Sequence, residues 1–144
     1  MKKVLLVLGV LVFFIGLPVA GSVYFWMDAH KKIRNRAIDY AEKTALPLLS
    51  KWDADTMYEQ YSVDGRKNFS REKIAAYAAK FGPMVSHGAL VPKRSYAGER
   101  DDNVWQFTVL EVPAVFEKGA GKVKLLITHK TVSSIWQIED LSVD

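Results

Sequence analysis

The hydrophobic period of this chain changes once, at Phe81-Gly82-Pro83-Met84, and that change restricts the fold more than any other feature. Before it, apolar residues recur every three or four positions; after it they alternate every second position. Helices gathered ahead of strands imply an α+β fold in which the helices pack on one sheet. In the first half, Ile33, Ala37, Tyr40, Ala41, Thr44 and Leu48 lie on one face of an amphipathic helix that Pro47 kinks or ends. Asp53 or Asp55 caps a short second helix bearing Met57, Tyr58 and Tyr61, and the segment from Val63 to Asn68 is turn-like. Ser70 caps a third helix, with Glu72 in its first turn and Ile74, Tyr77, Ala78 and Phe81 on one face; Gly82-Pro83 stops it.

In the second half, four strands are expected near residues 88–97, 104–117, 122–130 and 135–143. Their short connections predict an antiparallel meander. Trp105, Phe107 and Val109 alternate with Gln106 and Thr108, and Val123, Leu125 and Ile127 with Lys122, Lys124 and Thr128, so one face packs on helices and the other is wetter. Pro113 cannot donate a ladder hydrogen bond and predicts a bend or bulge. Trp136 and Ile138 fall on one parity, Leu141 and Val143 on the other, and a bulge near Glu139-Asp140 reconciles them.

Ahead of the helices, residues 4–27 form an almost unbroken apolar run. About 24 helical residues rise about 36 Å, enough to cross a hydrocarbon core of about 30 Å. The run has two readings. Lys2, Lys3 and the small residues Ala20-Gly21-Ser22 fit a cleaved signal sequence, but apolar residues continue past them, and Tyr24 and Trp26 sit where an aromatic belt meets the headgroups. These features favour an uncleaved transmembrane anchor over residues 1–27, followed by a basic juxtamembrane stalk at 28–36 and one domain at 37–144. Lys2 and Lys3 on one side and Lys31, Lys32, Arg34 and Arg36 on the other nearly balance the orientation rule. The short basic N-terminus favours a cytoplasmic start, a single pass through the inner (cytoplasmic) membrane, and a domain on the periplasmic or extracytoplasmic side.

The net charge of +4 invites a nucleic-acid reading, which its distribution removes. Setting aside those six basic residues and Asp28 leaves 14 basic and 15 acidic residues from Ala37 onward. The basic excess therefore flanks the apolar run, where it attracts anionic lipid or simply solvates a stalk helix. The absence of cysteine excludes a disulfide framework.

Several local patterns resemble one fold group. Phe81-Gly82-Pro83-Met84-Val85-Ser86, Val115-Phe116-Glu117-Lys118-Gly119 with Lys122-Val123-Lys124-Leu125, and Trp136-Gln137-Ile138-Glu139-Asp140-Leu141-Ser142-Val143 look like the small envelope members of the cystatin-like, nuclear transport factor 2-like superfamily. The resemblance covers residues 37–144 and implies helices packed on a bent antiparallel four-stranded sheet. It transfers no catalytic role, since many small anchored members are of unknown function. Others with this architecture serve as assembly subunits of envelope machines, and enzymes of the wider superfamily place acids, His or Tyr in the pocket between sheet and helices.

Candidate chemistry is sparse. His30, His87 and His129 show no metal spacing, so no metal or other cofactor is expected. Tyr58, Tyr61, Tyr77, Trp105 and Trp136 are candidates to line a pocket for an apolar ligand, and equally to be core. His129 is the one histidine whose alternation aims it inward, and Asp140 at a bulge is the acid to test for a raised pKa. Each also has a bland reading, a hydrogen-bonded structural histidine and a solvated aspartate. The expected function is non-enzymatic: a membrane-anchored accessory or assembly subunit that contacts lipid through its anchor and a membrane-protein partner. The alternatives are small apolar ligand binding in the sheet-helix pocket and, below that, a pocket isomerase or lyase.

Overall fold

The computed structural model describes residues 17–144, with side chains from Ser22. It divides into two compact units, one ending at Ile33 and one comprising Arg34–Asp144. Helix α1 (Leu17–Tyr40) continues into a π-helical turn, Ala41–Ala45, and a closing α-helical turn, α2 (Leu46–Leu49). Pro47 explains the widened turn. Its ring presses on the carbonyl four residues back and leaves it without a donor, and a wider turn just upstream, with Leu46 N donating to Ala41 O, relieves the crowding. Among the described residues no helix is long and apolar enough to cross a membrane. Most of the expected span, residues 4–27, lies outside the described residues, as do Lys2 and Lys3.

Asp53 caps α3 (Ala54–Gln60), accepting from the backbone N–H groups of Asp55 and Thr56 at 3.2 and 3.4 Å. The turn expected at 63–68 is instead a short helix, α4 (Val63–Asn68). Ser62 nucleates it by accepting from Gly65 N at 2.9 Å, and Gly65 is the residue that lets it lie close to the sheet. A Cβ there would sit 2.8 Å from Glu139 O and 2.9 Å from Ile138 O. Ser70 caps α5 (Arg71–Phe81) through Lys73 N, and Gly82, at φ +70°, ends it. Trp52, at φ +49° and almost wholly buried, donates from Nε1 to Gly82 O at 2.7 Å and ties the α2–α3 connection to the end of α5.

The sheet has five antiparallel strands where four were expected: β1 (Met84–His87), β2 (Val91–Arg100), β3 (Asn103–Phe116), β4 (Gly119–Lys130) and β5 (Trp136–Val143). The long β3 carries β4 on one side and β1 and β2 in succession on the other, and β5 follows β4. The strand expected at 88–97 corresponds to β2, and β1 is an additional short strand ahead of it, separated from β2 opposite Pro113. Its carbonyl accepts from Gly88 N at 2.8 Å, so in an antiparallel ladder its nitrogen faces the same side and has no hydrogen to give. Its ring also lies 2.8 Å from where a Cβ of residue 88 would be, so the partner strand breaks at a glycine. On its other side the β3–β4 register runs through Pro113↔Lys122 unshifted, so the irregularity expected at Pro113 falls on its neighbour.

The bulge expected near Glu139-Asp140 is present: Leu126 pairs with Asp140 and Ile127 with Ile138, leaving Glu139 extra. Ile138, Leu141 and Val143 thereby all join the core. Thr108, Leu110, Val112, Ala114 and Phe116 are the buried even-numbered residues of β3, and the last four join that core with Val123, Leu125, Ile127 and helical residues such as Ala41, Leu49, Met57 and Ile74. Trp105, Phe107 and Val109 therefore lie on the opposite face, which corrects any placement of Trp105 between sheet and helices.

Candidate functional site

The expected pocket residues are distributed over five places, Trp105 already being on the face of the sheet away from the helices. Tyr61 follows α3 in extended conformation, forms a parallel bridge to Ile138, and stacks on Phe69 at 5.1 Å. Phe69 meets Tyr77 at 5.6 Å, Tyr77 meets Phe81 at 5.7 Å, and Phe81 meets Phe116 at 5.5 Å. Tyr61 and Tyr77 are thus brought together as parts of one continuous aromatic stack within the core. Burial pushes the Tyr61 hydroxyl far above its ordinary range, and it has no hydrogen-bond partner among the described residues. Burial also pushes Tyr40 up to about 12, although its hydroxyl donates to Gln60 Oε1 at 3.2 Å.

Tyr58 stands apart, its half-buried ring flanked by the guanidinium groups of Arg66 at 5.2 Å and Arg71 at 4.1 Å. Arg71 also pairs with Asp55. Asp140 is exposed, shares its face with Leu126 away from the helices, and accepts from Leu141 N at 3.0 Å. It is a solvated acid at a strand irregularity.

His129 and Trp136 are directly paired across β4 and β5 and stack at 4.5 Å. His129 lies on the helix side of the sheet, in line with Ile127 and Leu125. Desolvation holds its imidazole below the ordinary value; a hydrogen bond with the Ser133 backbone opposes this, and the Arg36 charge reinforces it. Its Nδ1 is buried without a partner.

The best-formed polar constellation was not expected from the sequence. Arg100, at the end of β2, places one guanidinium nitrogen 2.8 Å from Glu139 Oε1 and the other 2.9 Å from Asp64 Oδ2. Ser62 Oγ donates to Glu139 Oε2 at 2.6 Å. The same guanidinium lies 5.4 Å from the rings of both Trp105 and Phe107, and Trp105 Nε1 donates to Arg100 O at 3.3 Å. Its hydrogen bond to Glu139 raises the Arg100 pKa. Lys67, then Arg100, hold Asp64 low. Both Glu139 oxygens are engaged and the cation is shared, so the arrangement clamps the β2–β3 hairpin to β5 and α4. Only the bulge offered a signal for it, and the residue it engages is the neighbour of the acid expected there.

Of the expected membrane-interface residues, Tyr24 and Trp26 are exposed on α1, within five consecutive exposed apolar residues: Val23, Tyr24, Phe25, Trp26 and Met27. Trp26 meets His30 edge-on at 4.0 Å, and Lys32 pairs with Asp28 at 2.8 Å. Lys31, Arg34 and Arg36 are exposed. Among the described residues no three His, Asp or Glu side chains are placed to hold a metal ion. No protein-family model, no curated protein and no solved structure matches this chain.

Proposed function

We propose that this chain is a single-pass protein of the inner membrane whose extracytoplasmic α+β domain works by protein contacts, as an accessory or assembly subunit of a membrane complex. The observation that carries the reading is the exposed run at residues 23–27. Five successive helical positions cover every side of a helix, so no single amphipathic contact accounts for them, whereas a lipid or transmembrane-helix environment does. Upstream, Gly9, Gly16, Ala20 and Gly21 supply small side chains of the kind that allow another helix to approach closely. Membership of the cystatin-like, nuclear transport factor 2-like group is part of this proposal, and helices ahead of an antiparallel sheet agree with its α+β outline. The aromatic stack from Tyr61 to Phe116 weighs against the ligand-pocket alternative, because the rings that would line a pocket pack on one another.

The test is in-membrane crosslinking of the tagged full-length protein, purification in mild detergent and mass spectrometry. A stoichiometric membrane complex that disappears when residues 4–27 are replaced by an unrelated anchor is the expected result. A lone chain, or a complex indifferent to the anchor, refutes the subunit reading.

A further inference from the structure

The connection between β4 and β5 exposes its apolar side chains. Val132 is 80% and Ile135 63% exposed, more than most large apolar residues of the Arg34–Asp144 unit. The loop is nevertheless ordered by hydrogen bonds: Thr131 N donates to Val104 O at 3.0 Å, Ser133 N to Lys130 O at 2.9 Å, and Ile135 N to Ser133 Oγ at 3.0 Å. The first of these places Val104, itself 48% exposed, beside the tip. Trp136 and its stacking partner His129 form the base.

Basic charge collects at the same end. Arg36 is near enough to act electrostatically on His129, and Lys130 is the residue next to the loop. Among the described residues neither of them, nor Arg34, forms an ion pair, whereas Lys32, Lys43 and Lys67 all do. The acidic turn Asp101-Asp102, just before Val104, lies at the same end, where Asp101 acts on Lys67 and Arg100. An ordered apolar tip bordered on the helix face by Arg36 and on the other face by Lys130, neither in an ion pair among the described residues, matches an anionic lipid surface, with apolar residues entering the interface and basic residues meeting headgroups. A tether raises the effective concentration of the domain at that surface.

We propose that the β4–β5 loop, through Val132 and Ile135 with Lys130 and Arg36 beside them, is a second membrane contact by which the domain rests on an anionic lipid surface. This rests on the anchor assigned above and adds a contact made by the folded domain itself.

The test uses the full-length protein in vesicles, and the absence of cysteine permits clean single-site labelling. An environment-sensitive fluorophore is attached at Val132→Cys, Ile135→Cys and, as exposed controls on the same unit, Val63→Cys and Val85→Cys, and is quenched by brominated lipid. The expected result is quenching at 132 and 135 but not at 63 or 85 in phosphatidylglycerol-containing vesicles. Lys130→Glu should lower the docked-to-undocked ratio by about fivefold or more, as expected when an attracted basic charge is lost near an anionic surface. Failure of the protein to float with vesicles overturns the anchor and this contact together. Flotation with the 132 and 135 probes still in water overturns the contact alone. Shielding of those probes in native membranes but not in lipid vesicles overturns it in favour of a protein partner.

Discussion

Gly65 separates what a helix prefers from what this fold permits. In an isolated helix, Gly→Ala is stabilising by about 1 kcal/mol, so Gly65→Ala in α4 would be a gain if only local propensity mattered. The structure reverses the sign. The new methyl carbon would meet Glu139 O at 2.8 Å and Ile138 O at 2.9 Å, with the Tyr61 ring at 3.0 Å. Two of these atoms are backbone of β5 and cannot rotate away. Restoring ordinary contact moves α4 off β5 by about half an ångström, which stretches Ser62 N to Ile138 O, now 2.8 Å, and Ser62 Oγ to Glu139 Oε2, now 2.6 Å. Overpacking costs about 1–3 kcal/mol, and weakening those two hydrogen bonds about 1 kcal/mol each. After subtracting the propensity gain, the net loss is about 3 kcal/mol, or about 12 °C in the Tm of a domain this size. Thermal and urea unfolding of the full-length protein in detergent, followed by near-ultraviolet circular dichroism, measure it. A Tm equal to or above that of the parent refutes the close approach of α4 to β5.

Other expectations follow from the same contacts. Arg100→Met leaves the largely buried Glu139 carboxylate with Ser62 alone and should lower stability by about 2–3 kcal/mol, whereas Asp64→Asn, at the more open end, should cost clearly less; equal losses in chemical denaturation would refute this ranking. Trp52→Phe keeps the ring contacts to Tyr77 and Phe116 but orphans Gly82 O, and should cost about 1–2 kcal/mol in the same assay; no change would show that the hydrogen bond contributes nothing. His129 is held below its ordinary value, so its neutral form favours the folded state, and the stability it contributes above the unfolded value of about 6.5 is lost as pH falls below it. His129→Phe, which can still stack on Trp136, should therefore show a smaller drop in Tm between pH 7.5 and 5.5 than the parent; identical drops would place the acid sensitivity elsewhere.

Local signals were readable wherever they were local in cause. Asp53, Ser70 and Gly82 mark helix ends because capping involves residues within four positions, and the parity slip between Ile138 and Leu141 announces the bulge because both must reach one core. Non-local causes were not readable. The Val63–Asn68 segment has the composition of a turn, and only the meeting of Gly65 with β5 shows why it coils there. Pro113 was correctly suspect, but its consequence falls at Gly88, which sequence separation conceals. The aromatic residues were found as a class, yet period alone could not say that Tyr61 and Tyr77 join one stack while Trp105 lies across the sheet under Arg100. The Asp64, Arg100 and Glu139 cluster joins three segments remote in sequence, each unremarkable by itself.

The broken strand opposite Pro113 has a consequence for the protein's neighbours. A sheet edge with a long run of unpaired amides is a template on which another chain can grow. On the β1/β2 side that run is interrupted at one end. β1 has four residues and ends at the Gly88 interruption, and β2 starts at Val91, followed by Pro92, which carries no amide hydrogen, and a register shift that leaves Lys93 extra. The positively charged bulge and the missing donor oppose strand addition at the start of β2. Pro113, by separating β1 from β2, thereby also shortens the edge on which a second chain could add.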